Sequence, residues 1–509
     1  MNFLLSKKLH VKLRPPHLGD NLADCDRLLS ALPHAAGEVK VPLGVLRRLP
    51  EILRTADWRV TAVLGRMEGG WLLQGVEPGD TTACHYGLAV DAGTTTITAA
   101  IVDLTSGTTL ATASGENMQT GIGEDILTRI LLAEEPGGLG RLQGLLVESI
   151  NKVAGEAADE AHICIRKVTA VAVGANTTMV HFLLGMDPTY ICREPYIPVA
   201  NAPSLFRAAD LGLSVHPEAV VCCLPGVGSY VGGDAVAGIL VSGMHNREET
   251  SIFVDIGTNG EVVIGGKEWL VAAAGAAGPA FEGGVVRHGV RAGPGAVVRV
   301  KINPRTHRVE YRVAGEGKAR GLCGSAVVDS LAGMLLAGII DRAGCFRDGR
   351  EAFVVVPARE TELGNDIVIT QQDIKNFLRT KGAMNAALET LLSAVGVRLQ
   401  EIGRFYAAGA FGEHLDVEAA VTIGLYPDLP RDRIVLLGNS SLKGAKRVLV
   451  SEEARRDLTE ICRKVTYFEL NASADFMVRF AGSQFFPHTD ITLYPSVEKK
   501  LRAAGILKE

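Results

Sequence analysis

The 509-residue sequence has no uninterrupted apolar run long enough to cross a membrane, which takes roughly 20 residues. Its first residues, MNFLLSKK, also contain too short an apolar stretch for a secretory signal peptide. Both features argue against a membrane as a partner. They predict a cytoplasmic protein.

The sequence also lacks clustered cysteines and an excess of charge of one sign. Its nine cysteines form no C-x-x-C pair, which argues against a zinc site or an iron–sulfur cluster in this chain. Reduced thiols are the expected state. The formal net charge is only -5, with acidic and basic residues interspersed. Because contact with a phosphate backbone requires a basic surface, nucleic acid is not an expected partner.

The sequence does contain ample material for a hydrophobic core, since 47% of its residues are apolar. The length favours more than one domain. Alternating and helical apolar patterns predict a small α+β linker or docking domain at residues 1–84. A first half at 85–248 and a second half at 249–509, which includes a C-terminal extension, are predicted to follow.

Two related segments stand about one domain apart: GLAVDAGTTTIT at 87–98 and SIFVDIGTNGE at 251–261. In each, an apolar strand leads to an aspartate, Asp91 or Asp255, and a glycine follows two positions later. Glycine permits a tight turn and close approach of the backbone to a ligand. A single such turn is more often ordinary, but two copies in one chain favour phosphate binding.

The two aspartates are expected to hold Mg²⁺ through water, because carboxylate oxygens suit that ion. Backbone N–H groups, hydroxyls and amides in the turns are expected to bind phosphate oxygens. These predicted phosphate-binding residues are Gly93, Thr94, Thr95, Thr96, Gly257, Thr258 and Asn259.

Two more carboxylates are candidates for the same site. Asp234 lies where the glycine-rich segment PGVGSYVGG becomes a small-residue helix, and Glu282 is the only charge in AAAGAAGPAFEGG. Each is interpreted either as a cleft carboxylate that positions water or magnesium, or as a residue at a helix start. The density of glycine and alanine around Gly278 suits backbone that lies against a ligand.

The remaining candidates concern the nucleoside and one helix of the first half. The turn that contains Gly409, Phe411 and Gly412 has room for an adenine ring, and Asn439 either lines the nucleoside pocket or caps a helix. Asn176 is likewise interpreted as a helix cap or as a residue at the cleft. His181 falls on an otherwise apolar helix, which favours a core histidine over a ligand.

The two aspartate hairpins are similar to the phosphate motifs of the superfamily of acetate and sugar kinases, heat-shock chaperones and actin. The resemblance implies an α/β fold in which two ribonuclease-H-like halves of the actin-like ATPase type enclose an ATP cleft. The preceding linker domain would stand outside those halves.

Further phrases narrow the resemblance to one family. NTTM, AAGPAFEGG, GLCGS, AGAFGEHLD and IGLYPDLP followed by GNSS, in this order, resemble the ATP-dependent reductive activators of corrinoid proteins. The resemblance covers essentially the whole chain. It implies that ATP drives a conformational change through which the Co(II) of a corrinoid methyl-carrier protein is returned to Co(I), and it is compatible with a homodimer.

The sequence departs from the family in one respect. Many members begin with a plant-type ferredoxin domain or carry cysteine-rich cluster sites, and this sequence has neither. Either a separate iron–sulfur protein, which is the expected electron donor, delivers the electron, or this chain lacks a domain that is present elsewhere. Two alternatives remain open: a small-molecule kinase of the same superfamily, with Asp234 or Glu282 as its base, and an ATP-switched binding protein that resembles the chaperones.

Overall fold

A computed structural model describes residues 4–33, 38–123, 125–257, 260–275, 286–291, 293–409, 415–470 and 473–507. Contacts between residues divide the chain into two compact units. Unit 1 comprises Met1–Val241 and Ser441–Arg463, and unit 2 comprises Ser242–Ser440 and Lys464–Glu509. No helix within the described ranges is long and apolar enough to span a membrane.

The N-terminal part of unit 1 is a four-stranded sheet with two helices. The strands, in the order β1-β3-β4-β2, are β1 Ser6–Lys12, β2 Glu38–Lys40, β3 Arg59–Met67 and β4 Gly70–Pro78. The helices are α1 Asp24–Ala31 and α2 Leu43–Thr55. In α2, Val45, Leu49 and Leu53 recur every four residues and are all buried, so this stripe faces the core. Strands β3 and β4 form an antiparallel hairpin in which Met67 lies opposite Gly70.

The larger part of unit 1 is a six-stranded sheet with the order β7-β6-β5-β8-β10-β9. Its strands are β5 Tyr86–Ala92, β6 Thr96–Asp103, β7 Thr109–Glu116, β8 Val168–Gly174, β9 Phe206–Arg207 and β10 Val220–Cys223. Its helices are α3 Ile126–Ala133, α4 Gly138–Glu160, α5 Thr177–Leu184, α6 Ala208–Leu211 and α7 Gly233–Ser242. Every residue of β8 is buried, as expected for a parallel strand that is covered on both faces.

Unit 2 has a second six-stranded sheet, with the order β20-β19-β11-β12-β13-β21, and two smaller sheets. Its strands are β11 Ser251–Ile256, β12 Gly260–Gly265, β13 Leu270–Gly275, β14 Ala296–Ile302, β15 Val309–Val313, β16 Gly321–Leu322, β17 Ala352–Val356, β18 Ile367–Thr370, β19 Arg404–Ala408, β20 Ile434–Gly438 and β21 Val465–Tyr467. Its helices are α8 Gly324–Leu336, α9 Gln371–Val395, α10 Val417–Thr422, α13 Phe476–Ser483 and α14 Pro495–Ala503.

The two six-stranded sheets repeat one topology. In unit 1, the antiparallel strands β5, β6 and β7 adjoin the parallel strands β8 and β10. In unit 2, the antiparallel strands β11, β12 and β13 adjoin the parallel strands β19 and β20. This repetition confirms the predicted α/β fold with two ribonuclease-H-like halves.

Helices α11 Ser440–Val450 and α12 Glu452–Lys464 pack almost entirely in unit 1, although they follow β20 of unit 2. A Cβ added at Gly444 would lie 2.5 Å from the Cβ of Ala237, so α11 approaches α7 closely. The Arg447 guanidinium also donates a 2.7 Å hydrogen bond to the Leu240 carbonyl. Both helices fall within residues 249–509, the range predicted for the second half. The predicted boundaries after residues 84 and 248 stay predictions.

Candidate functional site

The first hairpin, residues 91–98, joins β5 to β6 in unit 1. Asp91 stands near the end of β5, opposite Thr98 of β6 and beside Gly174 of the parallel strand β8. The Gly93 N–H donates a 3.1 Å hydrogen bond to the Thr96 carbonyl, which closes the turn. A Cβ at Gly93 would lie only 2.6 Å from that carbonyl oxygen, so this tight turn requires glycine.

Asn176, which was interpreted as a helix cap or a residue at the cleft, caps α5 and also contacts the first hairpin. Its side chain accepts a 2.9 Å hydrogen bond from the Met179 N–H, so it caps α5. Its Nδ2 also donates a 3.2 Å hydrogen bond to the Thr94 hydroxyl of the first hairpin. His181, one turn further along α5, is fully buried and bonds the Thr177 carbonyl and the Val199 N–H. It is the satisfied core histidine that was predicted.

Asp234 lies in the first turn of α7, where its Oδ1 accepts a 2.8 Å hydrogen bond from the Ala235 N–H. Burial, together with the charge of Asp91, raises the pKa of Asp234 to about 6. The two carboxylates are therefore close enough to repel each other in a poorly solvated place. Such an arrangement is stabilised by a divalent cation.

The donor set of unit 1 fits a hydrated Mg²⁺ ion. In the part of the chain that the structure describes, no group of three or more His, Cys, Asp or Glu side chains could together hold a metal ion. Magnesium commonly keeps several waters and uses one or two carboxylates. In unit 1, Asp91 and Asp234 would supply two carboxylates; binding of magnesium through water stays a prediction.

The second hairpin, residues 255–261, begins at the corresponding place in unit 2. Asp255 is the next-to-last residue of β11, opposite Glu261 of β12 and beside Ala408 of the parallel strand β19. Gly409 follows β19 with φ +106°, and a Cβ there would lie 2.4 Å from the Ile256 carbonyl oxygen. Only glycine suits both the backbone angle and the space.

Three neighbouring strand ends therefore meet beside Asp255. The Gly409 N–H donates a 3.1 Å hydrogen bond to the carbonyl of Gly438, which ends β20, and Asn439 follows directly. A Cβ at Gly409 would also lie 3.3 Å from Asp255 Oδ1. The carboxyl ends of parallel strands are the usual place for ligands in α/β sheets.

Some predicted site residues lie outside the described residues, so their roles stay predictions. They include part of the second hairpin, the glycine-rich segment of the second half and part of the predicted adenine turn: Thr258, Asn259, Gly278, Glu282, Phe411 and Gly412. Gly257 is described and follows β11 directly.

Two side chains that were not predicted, Asn117 and Arg129, hold the carbonyl groups of the first hairpin. The Asn117 Nδ2 donates to the carbonyls of Gly93 and Thr94 at 3.1 and 3.2 Å. The Arg129 Nη1 donates a 2.7 Å hydrogen bond to the Thr94 carbonyl. A signal was present in α3, ILTRILLA, because a single arginine there interrupts an apolar helix.

Family models match nearly the whole chain in three consecutive parts. The model described as the RACo linker region matches residues 5–83, and the one described as the RACo middle region matches residues 86–247. The model described as the C-terminal domain of RACo, the ASKHA domain, matches residues 249–498. The chain belongs to the RACo family.

Relatives of this RACo-family chain carry related names. It is 27% identical over 477 residues to the corrinoid activation enzyme RamQ of Eubacterium limosum, a match that covers 87% of this chain and 80% of that protein. It is 25% identical over 417 residues to the Co(II) methylated amine-specific corrinoid protein reductase of Methanosarcina barkeri, covering 75% of this chain and 73% of that protein.

A solved structure supports the same assignment. The RACo-family chain superposes on the structure titled reductive activator for corrinoid, iron-sulfur protein with a TM-score of 0.91 and 38% sequence identity. The match covers 98% of this chain and 81% of that chain. The predicted family and the predicted actin-like ATPase fold, which is the ASKHA fold, are both confirmed.

Proposed function

We propose that this protein uses ATP to return the Co(II) of a corrinoid methyl-carrier protein to Co(I). The observation that carries the proposal is the likeness, over 98% of the chain, to a reductive activator for a corrinoid, iron-sulfur protein. The names of the two curated relatives, a corrinoid activation enzyme and a Co(II) corrinoid protein reductase, agree with it. The ASKHA fold adds a nucleotide-binding framework.

The reaction is a one-electron transfer to cobalt coupled to ATP hydrolysis. A separate iron–sulfur protein loses the electron that Co(II) gains, and ATP with water becomes ADP and phosphate. Each ~59 mV of unfavourable potential corresponds to about 1.4 kcal/mol for one electron. A difference in reduction potential of a few hundred millivolts thus requires several kcal/mol of free energy. A nucleotide-dependent change in how this protein binds the corrinoid protein would supply that free energy.

The first hairpin supplies groups for phosphate binding in unit 1. The Thr94 hydroxyl, positioned by Asn176 Nδ2 at 3.2 Å, and the turn backbone would contact phosphate oxygens. Asp91 and Asp234 would orient the waters around Mg²⁺. When bound, that ion supplies positive charge to the phosphate oxygens. In unit 2, Asp255 and the backbone at Gly409 would likewise contact phosphate and hydrated Mg²⁺.

Anaerobic absorption spectroscopy tests the function directly. A Co(II) corrinoid protein is mixed with this chain and a low-potential reductant, with and without magnesium-ATP. Growth of the Co(I) band only with ATP is the expected result. ATP-dependent binding with no reduction would instead favour the chaperone-like switch, and a phosphorylated small molecule would favour the kinase.

Substitution of the two hairpin aspartates tests the site. We expect Asp91→Ala and Asp255→Ala each to abolish magnesium-ATP hydrolysis while the melting temperature stays near that of the wild type. Asp103→Ala is the matched control, because Asp103 ends β6 at the opposite end of the same strand pair. Within the described residues, its carboxylate accepts hydrogen bonds only from Thr105 and Ser106 of the adjoining turn. Unchanged turnover in both hairpin variants would contradict the site assignment.

A further inference from the structure

We infer that Arg129 is a positioning residue for the first hairpin: its guanidinium fixes the turn backbone so that amide groups face the phosphates of ATP. This inference rests on the proposed function. Arg129 lies in α3 and is fully buried, while its neighbours Leu127 and Leu131 are 60% and 61% exposed. In this helix the arginine is buried and two leucines are exposed to solvent, which is the reverse of the usual amphipathic arrangement.

The guanidinium is bound to backbone and amide oxygens. Its Nε donates a 2.7 Å hydrogen bond to the Gly123 carbonyl, and its Nη1 donates to the Thr94 carbonyl at 2.7 Å and to Gln119 Oε1 at 3.0 Å. The carboxylate of Asp125, which caps α3 by accepting a hydrogen bond from the Thr128 N–H, acts on Arg129 only through its charge. Among the described residues, no carboxylate forms an ion pair with Arg129.

Asn117 acts on the same side of the turn. Its Nδ2 donates to the Gly93 and Thr94 carbonyls, and its backbone N–H donates to the Thr95 carbonyl at 3.0 Å. Three consecutive carbonyls of the turn therefore point toward Asn117 and Arg129. Gln119 completes the cluster through a 2.9 Å bond from its Nε2 to the Leu142 carbonyl.

The direction of these carbonyls determines the direction of the amides. In a trans peptide the C=O and the N–H point to opposite sides. The peptides whose carbonyls belong to Gly93 and Thr94 carry the N–H groups of Thr94 and Thr95. Those two amides are therefore directed away from Asn117 and Arg129, which hold the carbonyls. Successive amides on one side form the concave site that binds phosphate oxygens.

The charge of Arg129 acts in the same direction. Burial lowers the pKa of Arg129 to about 10, so the guanidinium remains protonated at neutral pH. Its positive charge lies directly below the turn, in a region from which water is excluded. An anion above the turn is favoured by this charge, since screening is weak in the interior.

Calorimetric titration of magnesium-ATP into the full chain and its variants tests the inference. We expect Arg129→Met to weaken ATP binding at least about tenfold, the range of a lost charge-assisted contact. Arg129→Lys keeps the charge but not the planar set of donors, so an intermediate weakening is expected. Arg141→Met, on the exposed surface of α4, is the matched control and should bind as the wild type does.

Two further readouts separate positioning from a merely structural role. Adenosine, which lacks phosphate, should bind equally well to the wild type and to both Arg129 variants. A structural role would lower the melting temperature without nucleotide and leave the ATP affinity unchanged, which would overturn the inference. If Arg129→Met does not fold, Arg129→Lys decides by the same criteria. Absence of ATP binding in the wild type would instead overturn the proposed function itself.

Discussion

Gly232 offers a sharp test of how the site in unit 1 is packed. A Cβ added there would lie 2.5 Å from the Asn176 Cα, 2.7 Å from Asp234 Oδ1 and 2.9 Å from the Thr177 N. Two of these atoms belong to the backbone at the start of α5, which cannot rotate away. Gly232→Ala must therefore push the cap of α5 and the Asp234 carboxylate apart. Overpacking of this kind costs about 1–3 kcal/mol.

The displacement also reaches the first hairpin. Asn176 donates a 3.2 Å hydrogen bond to the Thr94 hydroxyl, which is at the long end of the normal range. A small further increase in this distance would break the bond. We expect Gly232→Ala to lower ATP turnover and to lower the melting temperature by roughly 4–8 °C, the shift that about 2 kcal/mol produces in a unit of this size.

The matched control is Gly144→Ala, the same substitution at an exposed position of α4 where no atom lies within 4 Å of the added Cβ. Alanine in a helix interior is favoured over glycine by up to about 1 kcal/mol, so this variant should melt at or above the wild-type temperature. Differential scanning calorimetry and a steady-state ATPase assay measure both effects. If Gly232→Ala matches Gly144→Ala in both, the packing argument is wrong.

Two predictions concern buried polar groups away from the site. Lys381→Met should destabilise unit 2 by about 3–5 kcal/mol, because the buried Lys381 amine donates to three carbonyls of the segment 483–487. Thermal melting checks this against Lys375→Met, an exposed position of the same helix. Burial lowers the pKa of His85 to about 4, so the wild type should lose up to about 3 kcal/mol of stability as pH falls from about 6.5 to about 4. The variant His85→Gln, which keeps a nitrogen near Ser6, should not show this loss of stability when its urea unfolding is measured at both pH values. A pH dependence equal to that of the wild type would refute the argument.

Local features of this protein were determined by the sequence itself. The strands that precede Asp91 and Asp255 and the cap at Asn176 were predicted from residues near one another in the chain. Apolar periodicity, glycine at tight turns and side-chain caps act over a few residues, so a short window contains their cause. The order of the motifs was also enough to predict the family.

Only the tertiary structure decided which distant residues meet. Arg129 lies 35 positions from the carbonyl that it holds at Thr94. Asp234 of α7 and Asp91 of β5 influence each other although 143 positions separate them. Residues 441–463 pack in unit 1 although the chain around them belongs to unit 2. Such contacts depend on how strands and helices are arranged in space. A buried arginine becomes favourable only where carbonyls from separate segments converge on it, and no local pattern specifies that convergence.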